Sequence, residues 1–192
     1  MKILHLPQGS IKVLNDHPAL DLLNSVDVIR GERLDALDSD AGFAHWSVVA
    51  NLIEPKQASA LRKGQMEQIR EQAVAIRRLL RAELTTPGNT SAELAATLNG
   101  LLPKTLLNAS RSGVRLNVAS KNAGDLLLAN VALQVADLLL CVPRHRVRQC
   151  MSPDCDWFFI DHSGGRRQWC LMSGCGNAAK ARRHRARNRN AV

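Results

Sequence analysis

The spacing of apolar positions changes several times along the chain, and each change marks an element. Ile11–Leu14 is a short apolar run that stops at Asn15-Asp16 and reads as a strand. Pro18 suits the first position of a helix, which Ala19–Ile29 continues with Leu20, Leu23 and Val28 among its apolar positions until Gly31. Gly42–Ile53 reads as a second helix carrying Phe43 and Trp46, and Pro55 opens a third. Leu61, Ile69, Ala73, Ile76, Leu80 and Leu84 recur at three, four or eight and share one helical face, with Gly64 as a place for a break or kink. Pro87-Gly88-Asn89 reads as a turn, after which Thr90 or Ser91 caps a helix reaching about Leu101.

Val114, Leu116 and Val118 alternate with Arg115 and Asn117, the period of a strand. Leu106–Ser110 precedes them across Arg111-Ser112-Gly113, so a hairpin is expected. Asn122–Cys141 is an almost wholly apolar helix with Asn130, Gln134, Asp137 and Cys141 as a narrow polar stripe, facing either solvent or a ligand pocket. Trp157–Ile160 alternates as a second short strand would.

Charge then divides the chain. Of its 192 residues, 26 are Lys or Arg and 17 are Asp or Glu, a net of +9. Residues 1–143 hold 15 and 14 of these, whereas 144–192 hold 11 basic residues and three Asp, a net of +8. Four of the five cysteines and four of the six aromatics lie in the same last quarter, so a domain boundary is placed at Pro143. The first part, 1–143, is expected to be mainly α with a small β element. It shows no glycine-rich phosphate loop, metal-type His pair or nucleophile–base constellation, so enzymatic activity is not expected. Asp16, His17 and Asp21 suit turn and cap roles, and Cys141 that of a small buried apolar residue. No leader peptide or membrane-crossing segment is read from the sequence, which points to a reducing cytoplasm and no membrane partner.

The strongest motif is Cys150-x4-Cys155-x14-Cys170-x4-Cys175. Two thiol pairs separated by a loop can surround one tetrahedral ion, and one structural zinc fits best. An iron–sulfur cluster and a pair of disulfides are the alternatives. A module of this size cannot bury enough surface to fold alone, so metal binding supplies much of its stability. Trp157, Phe158, Phe159 and Trp169 serve either as its small core or as stacking surfaces for bases. After Cys175, Asn177 can cap a helix made largely of Ala, Lys and Arg, suited to phosphates rather than to a core. Lys180, Arg182, Arg183, Arg185, Arg187 and Arg189, with Arg166 and Arg167 of the preceding loop, are the candidate nucleic-acid contacts.

The run Trp157-Phe158-Phe159-Ile160-Asp161-His162-Ser163, then Arg166-Arg167-Gln168-Trp169-Cys170, Met172 and Cys175-Gly176-Asn177-Ala178-x-Lys180, resembles the CGNR zinc finger. Ala178 stands where that family has Arg. Leu20-Asp21-Leu22-Leu23-Asn24-Ser25 and Trp46 are similar to the ABATE domain that precedes this finger in bacterial proteins. The resemblance implies a treble-clef or ribbon-like four-Cys finger with a basic C-terminal helix over residues 144–192. It also implies a stress-responsive transcription regulator that binds DNA, whose first domain senses a small ligand or dimerises. Asp21, Asn24, Ser25 and Trp46 are then the candidate ligand-pocket residues. RNA binding through the same basic module, or an enzyme in the first domain targeted by the finger, are the rival readings.

Overall fold

The computed structural model describes residues 1–29, 31–61, 63–88, 90–102, 105–110, 113–118 and 122–189, with backbone alone for 29, 63, 105–110 and 113–118. Its strands form four separate antiparallel pairs. Strand β1 (Lys2–Leu6) pairs with β2 (Gly9–Val13), placing buried Leu4 opposite buried Ile11. The sequence reading found only the second of these strands. Helix α1 (Pro18–Leu23) is capped by His17, whose Nδ1 accepts the Ala19 N–H at 3.2 Å.

Helix α1 stops at Leu23, not at Ile29, which corrects the expectation. Val26–Ile29 is instead β3, paired with β4 (Glu32–Asp35) across Gly31 at φ +85°. Three β-branched residues in four favour the strand. Ser25 reinforces the stop by donating its hydroxyl to the Leu22 carbonyl at 2.7 Å, a bond that competes with helix continuation. Helix α2 (Asp40–Val49) starts earlier than expected because Ser39 Oγ accepts the Gly42 N–H. It ends before Asn51, whose φ of 59° is left-handed, so the expected extension to Ile53 does not occur. After α3 (Pro55–Ser59), α4 (Lys63–Thr85) runs unbroken through Gly64, and Leu61 lies outside it.

Helix α5 (Ser91–Leu101) and the hairpin β5 (Thr105–Ser110) and β6 (Gly113–Val118) follow as expected, while Arg111 and Ser112 lie outside the described residues. Helix α6 (Ala123–Cys141), capped by Asn122, is the centre of the fold and packs on α1, α4 and α5. Its crossing with α4 is close: a Cβ on Gly124 would stand 2.5 Å from Ile69 Cδ1. By length and composition α6 could cross a membrane, but its Leu127, Val131, Ala132, Val135 and Leu138 are buried against the other helices. Its polar stripe is tied to neighbouring loops: Asn130 donates to the Leu52 carbonyl and Asp137 accepts from His17 Nε2 at 2.9 Å. Cys141 is exposed rather than buried, because the helix end projects past the core, and its bond to Asp137 raises its thiol.

A buried ion pair joins the β3–β4 hairpin to α4. Asp35, with a fully buried side chain, accepts two bonds from Arg77 at 2.6 and 2.7 Å and one from Arg33 at 2.6 Å. Burial alone would raise this carboxyl, but Arg77, the Leu37 N–H and Arg33 together outweigh it and hold it below its ordinary value. Beyond α6, a 3₁₀ turn (Arg144–Arg146) leads into β7 (Val147–Gln149), which pairs with β8 (Phe158–Ile160). The apolar core continues without a gap into Val147, Trp157, Phe158, Phe159 and Ile160.

Candidate metal centre and nucleic-acid interface

The four cysteines are brought together by a strand pair, a loop and a helix start. Cys150 directly follows β7 and Cys155 closes a tight turn, with its N–H on the Ser152 carbonyl at 3.1 Å. The Cys150 N–H donates to the Trp157 carbonyl at 2.8 Å, so the β7–β8 pair fixes both ends of the first thiol pair. Cys170 ends the long loop, and Cys175 lies in a single wide turn, Met172–Gly176, that runs straight into α7 (Asn177–Arg189). Asn177 is therefore the first residue of that helix rather than its cap. Gly176 is buried where a Cβ would stand 3.1 Å from Trp169 Cδ1 and would displace the flexible Met172 side chain. Strand, thiol turn, strand, loop and helix follow the treble-clef order expected from the sequence.

All five cysteines are free, so no disulfide forms. The four clustered sulfurs lie within 4.8 Å of one another, with Cys170 Sγ 3.7 Å from both Cys155 Sγ and Cys175 Sγ. A tetrahedral ion with metal–sulfur bonds of about 2.3 Å has sulfur–sulfur edges of about 3.8 Å. The spacing therefore suits a single zinc, whereas a cluster of several irons would spread the sulfurs. The thiols already divide in their acidity. A hydrogen bond from Cys170 lowers Cys155, the same bond raises Cys170, and burial raises Cys175. Four thiolates in such crowding need a cation between them. The four cysteines hold one structural zinc, and this closed shell leaves no position for a substrate.

The loop between the thiol pairs is organised by Asp161. Its carboxylate accepts from Ser163 N–H and Oγ, from the Gly165 N–H and from Arg148, all at 2.6–3.0 Å. The Ser163 bonds come first among the causes that hold this carboxyl far below the ordinary range. Gly164 and Gly165, at φ +68° and +92°, turn the loop outward. Arg167 reaches inward instead, donating to the Trp169, Ile160 and Cys170 carbonyls and to Asp16, with its guanidinium 4.4 Å from the Phe159 ring centre. Arg166 is exposed and bonds only its own loop, at the Ser163 carbonyl.

On α7, Lys180, Arg183, Arg185, Arg187 and Arg189 are exposed. Ala179 is buried and Arg182 and Ala186 are half-buried, so these three mark the side facing the finger. Arg182 bonds Asp154 at 3.1 Å and Ser152 Oγ at 3.2 Å, clamping the helix to the first thiol turn. Trp157, Phe158 and Phe159 are buried, which makes them core rather than a stacking platform, and Trp169 is half-buried.

Asp21, Asn24, Ser25 and Trp46 are all buried, and none lines the five surface clefts found among the described residues. Asn24 joins the two ends of the chain: its amide donates to the Phe158 carbonyl and its carbonyl oxygen accepts the Phe158 N–H, each at 2.8 Å. Trp157 Nε1 bonds the Val26 carbonyl beside it at 2.7 Å, a link the sequence did not show. Ser25 Oγ accepts from Arg77. Trp46 stacks on Phe43 with ring centres 5.8 Å apart. Trp46 Nε1 and Asp21 Oδ2 have no partner among the described residues.

Burial pushes the Asp21 carboxyl up to about 7, against the bond from the Asn15 N–H. The folded state thus holds a proton that the unfolded chain releases near pH 4. Stability from this group is full below that pH, falls as pH rises to about 7, and is then flat. Subtracting the urea stability of Asp21→Asn from that of the parent, measured from pH 5 to 8, should show this decline, reaching a few kcal/mol. A pH-independent difference would refute it.

Two family models match the chain. The ABATE model, described as "Putative stress-induced transcription regulator", covers residues 16–140, and the CGNR zinc finger model covers 146–188. No curated protein matches it.

Proposed function

The chain belongs to the ABATE family and carries a CGNR zinc finger, and from that premise we propose that it is a cytoplasmic transcription regulator that grips duplex DNA with α7. Residues 1–143 act as its sensing or dimerisation domain, and residues 144–192 as its DNA-binding module. The observation that carries this reading is a helix anchored to a metal centre whose exposed side chains include five cations, with no acidic residue between 177 and 189. Lys180, Arg183, Arg185, Arg187 and Arg189 contact backbone phosphates, and Arg166 adds a contact from the loop. Arg182 and Arg167 position those elements through the protein bonds they already make.

RNA is the weaker reading. Sequence-specific RNA recognition leans on exposed aromatic rings, and Trp157, Phe158 and Phe159 are buried. About six phosphate contacts give a salt slope near −5.4 on a log–log plot, a loss of affinity on the order of a thousandfold between 50 and 200 mM salt. Fluorescence anisotropy with a labelled random duplex tests this. Arg183→Gln with Arg187→Gln should lower the slope by about two. A flat salt dependence, or structured RNA outcompeting the duplex, would overturn the reading.

A further inference from the structure

The largest of the surface clefts described, about 590 Å³, lies where the two family segments meet, outside α7. Its walls are α4, the β3–β4 hairpin and the first thiol turn, so it touches the metal shell at one ligand only, Cys155. Sites between domains are favoured places for small ligands.

Four arginines line it: Arg33 from β4, and Arg77, Arg78 and Arg81 from α4. Their pairing is incomplete. Arg33 and Arg77 share the carboxylate of Asp35, and Arg33 also meets Asp38 at 3.5 Å, so the lightly paired cations of the cleft are Arg78 and Arg81. Arg81 donates to the Leu23 and Asp156 carbonyl oxygens, and among the described residues it makes no ion pair with a carboxylate. Arg78 is mostly exposed and meets Glu93 only at 3.5 Å.

Three carboxylates also line the cleft; one is neutralised by Arg182, while the other two accept from neutral donors and Asp156 also acts on Arg81 through its charge. Asp154 is paired with Arg182, Asp156 accepts from Gln149 at 3.3 Å, and Asp27 accepts the Val28 N–H at 2.9 Å. The other lining is apolar: Val26, Val28, Val74 and Trp157. Val28 is 56% exposed and gives the cleft an accessible apolar surface beside Trp157.

We propose that this cleft binds a small organic oxyanion, a carboxylate or phosphate ester carrying an apolar or aromatic body. The anionic head sits against Arg78 and Arg81, which have donors to spare, and the body lies on Val28 and Trp157. Head and body together select such a ligand over inorganic phosphate, which leaves the apolar wall wet. This gives the sensing role of residues 1–143 a place and a ligand class. A ligand there touches α4 and the Cys155 turn at once, so it stabilises the zinc-loaded state in which both walls are present.

The test uses the full zinc-loaded chain without DNA, so it stands or falls apart from DNA binding. Phenyl phosphate, benzoate and inorganic phosphate are titrated at constant ionic strength while tryptophan fluorescence reports on Trp157. Phenyl phosphate should give a saturable change, with half-saturation at least tenfold below that of inorganic phosphate. At tenfold over half-saturation it should slow zinc loss to a chelator by about tenfold. Arg78→Gln and Val28→Asp, both at exposed positions, should each raise the half-saturation point at least fivefold. The proposal is overturned if neither organic probe gives a change beyond that of sodium chloride, if both variants respond as the parent does, or if bound phenyl phosphate leaves zinc loss unchanged.

Discussion

Stripping zinc should unfold residues 144–189 and leave the helical core standing. Tetrahedral zinc in small modules contributes about 10–16 kcal/mol of apparent binding free energy, and that energy is folding energy where no site exists beforehand. Without the metal, the thiol turns, the loop and α7 hang on one short strand pair. The module's own core is Trp157, Phe158, Phe159 and Ile160, and these pack on the larger domain. The first domain has its own buried set around Leu20, Trp46, Ile76 and Val135. Loss of the finger nevertheless takes away the partners of Asn24 and the cover over Val26. An orphaned buried amide costs about 1–3 kcal/mol, so the remaining domain should melt at a lower temperature than it does in the holoprotein. Chelation, or Cys170→Ser, should open the arginines of α7 to trypsin and shift the emission of Trp157 and Trp169 to the red. Trp46, fully buried in the first domain, should keep its blue emission. An unchanged digest would show that the metal is not structural. Exposure of all three tryptophans in one step would show that the finger also holds the helical domain together.

Much of this was readable from the chain alone, for reasons that differ by element. The centre of the fold was plain because α6 is apolar over five turns and begins at a residue that can cap it. The metal centre was plain because ligand chemistry fixes both residue type and spacing. Helix α1 was misjudged because Val26, Val28 and Ile29 fit an apolar helical face as readily as a strand, and a contact with β8 across 134 residues settles the matter. The arginines show the same limit. Arg167, Arg182 and Arg187 look alike in a basic tail, yet the first bonds three backbone carbonyls, the second bonds Asp154, and the third is exposed. The Asp35–Arg77 pair was missed because its partners lie 42 residues apart. One signal was present. Arg77 follows Ala73 by four and precedes Leu80 by three, which sets a charge on the buried face of α4.

That pair carries the second large effect. Asp35→Asn should destabilise the chain by about 3–5 kcal/mol, because it strips the carboxylate from a guanidinium whose side chain is 10% exposed. The amide oxygen can still take the Leu37 N–H that Asp35 Oδ1 accepts at 2.9 Å, so the turn before α2 keeps its bond and the loss belongs to the charge. Replacing both partners with apolar residues of similar volume, Asp35→Leu with Arg77→Met, should cost less than the single change, since it leaves no buried ion behind. Ser25 Oγ, which accepts from Arg77, retains its bond to the Leu22 carbonyl in that double variant. The pair also sets an acid limb. Its folded-state carboxyl lies below the ordinary value, so its stabilisation is present above about pH 4 and is lost as pH falls through the folded value. Asp35→Asn should therefore flatten the stability curve on the acid side while lowering it at pH 7. Urea midpoints at pH 7 and at about pH 2, compared at equal slope, measure both effects. A loss under 1 kcal/mol at pH 7 would mean that the guanidinium finds another carboxylate or water. A double variant worse than the single would mean that the pair earns its place by shape rather than by charge.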